Sequence, residues 1–220
     1  MAYQTGSATS PIDLLQKLVT FLTANGWTLD SSIADGTGWR AHLHRGGDFI
    51  NLKSTTGAVN PWGFTTVPAP IATSAAMHLY MGTGWSGAAD WNLQAGAPIG
   101  DGVAYTVGMS MPLPTGAITS YHFFADATGD NIVVVVEKTT SIFTHLGWGV
   151  SLTKAGAYTG GPYFFASLYG YNFASINTTK PGPQNGITAH EAFRYGDPLN
   201  NGAMGYVRAD VDAFTGKWLS

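Results

Sequence analysis

His42 and His44 lie two residues apart in a run, Trp39–His44, that reads as a β-strand. Both imidazoles therefore point to one face, as a pair of metal ligands would. Asp48, across the following turn, offers an oxygen of the kind such a site takes. Arg40 and Arg45 flank the pair and oppose a cation, so a solvated or interface-facing pair is expected and no metal. Gly82-Thr-Gly-Trp-Ser-Gly87 carries the letters of a dinucleotide-binding loop. That chemistry needs a helix starting there, whose terminal amides hold a pyrophosphate. Gly96 and Pro98 interrupt the stretch and no βαβ pattern surrounds it, so a glycine-rich loop without a cofactor is expected.

Acid–base and nucleophilic chemistry find no better footing. The stretch Gly108-Met-Ser-Met-Pro112 fails the nucleophile-elbow pattern at its last place. Glu137 and Glu191 are the two glutamates; Glu137 closes an apolar strand beside Lys138, and His190-Glu191 lacks the second His of a zincin. Aspartates at 30, 35, 48, 90, 101, 126 and 130 sit mostly beside Gly, Ser or Thr, where they build turns. The chain is expected not to be an enzyme. Seven Trp and ten Tyr could instead form a sugar-stacking platform, with Trp62, Trp85, Trp91 and Trp148 all near glycines. The same amphipathic rings suit subunit interfaces. Asn177-Thr178-Thr179 matches a glycosylation acceptor, which counts only in a secreted chain.

Composition weighs toward the interface. Only 23 of 220 residues are charged, about 10% where roughly 25% is ordinary. Such a chain mates through neutral, semi-apolar surface. Net charge is −3 and pI near 6.0, so no nucleic-acid footprint is present. Cysteine is absent, which removes disulfides and thiolate chemistry. The opening Met-Ala-Tyr-Gln-Thr-Gly-Ser has no basic or apolar region of a signal peptide, and the longest aliphatic run, Ile132–Val136, is too short to span a bilayer. No membrane partner is expected. Gly and Pro together make 40 residues, and aromatics 13%, the balance of a folded, turn-rich protein.

The elements that must position these residues begin with one helix. Ser10 is an N-cap, Pro11 suits the first turn and Asp13 the third helical place. Leu14, Leu15, Leu18, Val19, Phe21 and Leu22 form an apolar stripe, and Asn25-Gly26 is a left-handed stop. Residues 1–9 are expected as an arm, of which Ala2–Thr9 either orders on a neighbour or simply frays, and 10–220 as a single mainly-β domain. Strands are expected at Trp27–Asp30, Trp39–His44, Phe49–Lys53, Met77–Met81 and Ala104–Met109, with a hairpin turn at Arg45–Asp48. A second hairpin pairs Tyr121–Ala125 with Asn131–Lys138 across Asp126–Asp130. Its continuous Val133–Val136 predicts burial on both faces. Ser141–Thr144 and Trp148–Leu152 continue the sheet around a bend at Gly147, and 154–220 reads as long aromatic connections rich in Gly and Pro. The fold class is α+β, mainly β: an antiparallel sheet or sandwich with one N-terminal amphipathic helix. Gly-Thr-Gly-Trp recurs at Gly36–Trp39 and Gly82–Trp85, but the spacing of its neighbours does not hold as a repeat should.

Three phrases together carry a resemblance: the strand Asn131–Lys138, then Ser141-Ile-Phe-Thr-His-Leu-Gly-Trp-Gly149, then Tyr158-Thr-Gly-Gly-Pro-Tyr-Phe-Phe-Ala166. With the opening arm and the helix ending in Asn25-Gly26-Trp27, this order resembles structural proteins of tailed bacteriophages, from the head–tail neck, tail and baseplate. The resemblance covers about a third of the chain and brings no catalytic residues. It implies a non-enzymatic virion subunit, made in the bacterial cytoplasm and partnered by other virion structural proteins and by copies of itself, in a ring. Trp148, Tyr158, Tyr163, Phe164 and Phe165 are the interface candidates, for their aromatic density beside Gly and Pro. The alternative is a carbohydrate- or receptor-binding module at a phage tail tip.

Overall fold

The computed structural model describes residues 1–57, 75–97, 109–150, 163–166 and 168–169. They form two antiparallel sheets and one helix, a mainly β, α+β sandwich. Sheet A sets β1 (Ala2–Ala8), β7 (Ile118–Ala125), β8 (Asn131–Thr139), β9 (Ile142–Gly149) and β10 (Tyr163–Ala166) side by side in that order. Sheet B runs β11 (Leu168–Tyr169), β6 (Met109–Leu113), β5 (Ala75–Gly82), β4 (Asp48–Thr55), β3 (Gly38–Arg45), β2 (Thr28–Asp35).

Helix α1 (Pro11–Ala24) forms as its ends require. Ser10 Oγ accepts from the Asp13 amide at 3.1 Å, and Asp13 reaches back to the Thr9 amide at 2.8 Å. The first bond satisfies a donor that the first turn leaves open, and the second ties down the residue before the cap. Gly26, at φ 87°, takes the left-handed place after the last turn, and the Trp27 amide returns to Leu22 O at 3.1 Å. Leu14, Leu15, Leu18 and Leu22 are fully buried, each worth about 1.5–3 kcal/mol. The helix packs on β3, β4 and β5 of sheet B and on β1 and β7 of sheet A. On the other flank β6 meets β8, β9 and β10 directly. Inner side chains of both sheets (Leu43, Ile50, Leu52, Met77 and Leu79 from B; Phe123, Ile132, Val134, Leu146 and Trp148 from A) join the helix in one core.

Several expectations are amended. The stretch 1–9 contains β1, which lies along β7 of its own chain with Tyr3 opposite Phe124 and Thr5 opposite His122. Thr5 Oγ1 donates to Tyr121 O at 2.9 Å and Gln4 Nε2 to Tyr121 Oη at 3.0 Å, side-chain bonds that a stretch without Val, Ile or Leu does not announce. The Val133–Val136 run is not buried on both faces: Val134 and Val136 point into the core while Val133 and Val135 are half-buried on the outer side. Nor does the chain bend at Gly147, since β9 runs straight through it. A Cβ there would come within 2.5 Å of the Phe165 ring and 2.6 Å of Ile132 O, so this glycine allows a close approach rather than a turn. Strand β6 starts at Met109, and 104–108 lie outside the described residues. It includes Pro112, beyond the two residues that β11 pairs, where a missing N–H costs least. The hairpin turn after β3 is as expected, with Arg45 opposite Asp48 and Gly46 at φ 60°.

Candidate functional site

The outward faces of the two sheets differ in kind. On sheet A, strand alternation and register set Tyr3, Phe124, Val133, Gly147 and Phe165 in one row, and Thr5, His122, Val135 and His145 in the next. Tyr3 lies 5.0 Å from Phe124 and 6.1 Å from the His122 ring, centre to centre, and its hydroxyl shares a 2.8 Å hydrogen bond with His122 Nδ1. His145 lies 6.1 Å from Phe165. Burial holds His145 below the usual imidazole range, so it adds no charge near neutral pH. Phe143 closes the face beside Glu137, which accepts from the Ser141 amide at 2.9 Å and so serves the turn. Tyr3 is 54% exposed and Phe143 53%. The face is aromatic, almost uncharged and uncovered at its ends.

The outward face of sheet B is polar and covered. Arg40, Lys53, His78 and Ser110 form one row across it; His42, Asn51 and Tyr80 form the next. A loop over Thr83–Ala97 lies on this face, closed where the Thr83 amide meets Ala95 O at 2.8 Å. Gln94 organises it from inside, its amide donating to Ser86, Ala89 and Asp90 carbonyls at 3.0–3.2 Å. Trp91 is the anchor: its indole donates to Leu52 O at 3.0 Å, its ring meets Tyr80 edge-on at 5.2 Å, and the Tyr80 hydroxyl donates to the Trp91 carbonyl. Burial raises the Tyr80 pKa, so that hydroxyl keeps its proton. His78 bonds Ser110 Oγ at 2.8 Å and Thr55 Oγ1 at 3.2 Å; full burial, helped by the Lys53 charge, pushes it down to about 3.

In the second row of the face, His42 Nδ1 lies 2.6 Å from Asn51 Oδ1. The oxygen only accepts, so Nδ1 carries the proton and Nε2 is left with a free lone pair. Burial lowers the His42 pKa against the Asn51 hydrogen bond, which raises it, and the nearby Arg40 charge lowers it further. The ring is neutral at pH 7. The Trp85 ring stands 6.0 Å from it.

The sequence-based candidates distribute unevenly over these faces. His42 and His44 do share a face, but His44 bonds Asp30 at 2.9 Å and His42 bonds Asn51. No group of three metal-ligating side chains occurs among the described residues. The glycine-rich stretch is the start of the loop; Gly82 is required because a Cβ there would stand 2.5 Å from Ala95 O. Trp148 and Phe164, expected at an interface, are buried in the chain's own core, where Trp148 meets Trp27 edge-on at 6.0 Å. They have no surface to offer a partner. Phe165 lies on the outer face of sheet A, half-buried. Tyr163 contributes backbone to β10, while its side chain, together with Tyr158, Trp62, Asn177 and His190-Glu191, lies outside the described residues. Tyr3, His122, Phe124 and Phe143 were not among the candidates; period-2 alternation in Tyr121–Ala125, read for its polar-side partners, would have found Phe124 and His122.

No helix among the described residues is long and apolar enough to cross a membrane. Compared with known proteins, the chain matches no family model and no curated sequence.

Proposed function

We propose that this protein is a non-enzymatic structural subunit of a tailed-bacteriophage virion, of the neck, tail or baseplate. It assembles in several copies through the outer face of sheet A, and other virion proteins are its further neighbours. The observation that carries this reading is that face: Tyr3, Phe124, Phe143 and Phe165 with His122 and His145, half-buried or exposed on a rigid five-stranded platform. Rings of this kind, presented at low side-chain entropy, make the centres of protein interfaces. Sparse charge supports a second copy as the occupant, because a net charge of −3 repels an identical neighbour only weakly. The resemblance of Asn131–Ala166 to phage structural proteins supports the setting; β8, β9 and β10, which that stretch supplies, are three of the five strands of sheet A.

Native mass spectrometry of the full chain over a range of concentrations tests the assembly. The expectation is a closed oligomer that Phe143→Asp combined with Tyr3→Ser reduces to monomer. Antibody labelling of purified particles tests the setting, with label expected at neck, tail or baseplate. A chain monomeric at every concentration and missing from particles would end the proposal. A second reading, a carbohydrate- or receptor-binding module at a tail tip, is supported by one observation: the Trp85 ring, 37% exposed, beside the polar row of sheet B.

A further inference from the structure

Three side-chain nitrogens on the outer face of sheet B are shielded from solvent and meet no hydrogen-bond partner among the described residues: Arg40 Nε, His42 Nε2 and Asn51 Nδ2. Buried polar atoms are nearly always paired, and each exception calls for an explanation. These three are neighbours, with Arg40 and His42 on one side of β3 and Asn51 directly across from His42 on β4. His42 is 1% exposed and Asn51 is fully buried. Arg40 forms no ion pair among the described residues, whereas Arg45 and Lys53 do. Farther along the same face the polar groups are satisfied, His78 at both ring nitrogens and Gln94 by three carbonyls.

The unpaired set has a definite chemistry. With the His42 proton held at Nδ1 by Asn51, Nε2 accepts, while Asn51 Nδ2 and Arg40 Nε donate. A carboxylate or a fully ionised phosphate only accepts and would face the lone pair. A cation would face the amide and guanidinium hydrogens. A hydroxyl both donates and accepts, and neighbouring hydroxyls on one ring would serve all three nitrogens. Trp85 beside His42 supplies the flat apolar surface against which the C–H face of such a ring lies.

We infer that sheet B carries a saccharide-binding site in which Trp85 stacks on a sugar ring whose hydroxyls pair with His42, Asn51 and Arg40. The three nitrogens are shielded from solvent in the structure, so entry requires their cover to open, and the Trp85 ring beside His42 is part of that cover. Trp85 sits in the exposed part of the loop, between Gly84 and Ser86, ahead of the Trp91 anchor. The inference rests on the second reading above for the class of ligand and is independent of assembly through sheet A.

The test is saturation-transfer NMR and tryptophan fluorescence on the full chain with D-glucose, D-galactose, D-mannose, L-rhamnose, N-acetyl-D-glucosamine and N-acetylneuraminic acid. At least one is expected to bind, with Trp85→Ala and His42→Gln each weakening it about tenfold or more and Ile142→Ser, at an exposed position of β9, leaving it unchanged. Trp85 is partly exposed, so its variant keeps the result interpretable if His42→Gln does not fold. Binding that survives both substitutions overturns this site while leaving the receptor-binding reading standing. No binding to any of the six overturns the saccharide site and leaves ordered water as the partner of the three nitrogens.

Discussion

The two sheets share an inner core but meet the outside in opposite ways. Sheet A exposes rings: Tyr3 and Phe143 stand out from a face whose middle is valine, histidine and phenylalanine. Sheet B hides polar groups: His42, Asn51, His78 and Ser110 are buried on its outward side beneath or beside the Thr83–Ala97 loop. Left open, the first is apolar area in water, which a partner can remove. The second incurs a desolvation cost that only internal hydrogen bonds offset. A face that costs stability when open is a candidate for assembly. A face with polar groups under cover is either fully satisfied, as around His78, or waiting for a partner, as around His42.

The comparison breaks most readily at the cover. Trp91 is buried, fastens the loop to Leu52 O and packs on His78 and Tyr80. Trp91→Ala is expected to lower stability by about 3–5 kcal/mol, the range for an aromatic removed from a core. Urea denaturation measures it, and a loss under about 1 kcal/mol would mean that the cover is not part of the folded unit.

Acid should act on the same face next. His78 titrates near 3 when folded and near 6.5 when unfolded, so below pH 6.5 the unfolded chain binds a proton that the folded chain refuses. Its contribution is complete above 6.5 and declines as pH falls toward 3. From about pH 7.5 to about pH 5 the loss is about 2 kcal/mol. His78→Gln should flatten that part of the stability–pH curve, whatever it does to stability at neutral pH. Asp126 acts lower down: burial raises its pKa, but hydrogen bonds led by that from Asn131 outweigh this and hold it at about 2, so its contribution is lost between pH 3.8 and 2.

Much of this frame was legible in the sequence, and the reasons are local. Ser10, Pro11, Asp13 and Asn25-Gly26 announce the helix because caps are chemistry of adjacent residues. The Gly46-Gly47 turn and the Asp126–Asp130 turn announce their hairpins for the same reason. What stayed hidden depends on contacts between distant residues. β1 is held by Tyr121 and Phe124, well over a hundred positions away, and nothing in Ala2–Ala8 alone says so. Trp148 beside two glycines looks like a loop ring but fills the space between sheets, and Gly147 is small because Phe165 lies on it. His42, His44 and Arg40 share a face by their spacing alone; that Asn51 completes the group depends on the register of β3 on β4.

A smaller effect is expected where the two sheets are tied at their ends. Arg45, at the end of β3, donates Nε to Asp130 at 2.6 Å, Nη1 to Asn25 O at 3.2 Å and Nη2 to Thr128 O. It thereby joins a sheet B hairpin to the helix terminus and to a sheet A hairpin. The ion pair is partly solvated, which screens it, so Arg45→Ala should cost about 1–2 kcal/mol. Arg45→Lys should recover little of it, because an ammonium cannot span three acceptors set around a planar fork.

The smallest effect on folding should come from the rings of sheet A, and that smallness separates an interface from a core. Phe143 is more than half exposed at the start of β9, so Phe143→Ser removes little buried area and should change the stability of the monomer by no more than about 0.5 kcal/mol. If Phe143 is at the centre of a contact between copies, the same substitution should weaken association by 2 kcal/mol or more, about thirtyfold in dissociation constant. Urea denaturation at low protein concentration reads the first quantity and sedimentation equilibrium the second. A ratio of effects near one would make Phe143 an ordinary packing residue and remove the distinction between the two faces. A large ratio would locate the free energy of assembly on the aromatic rows of sheet A.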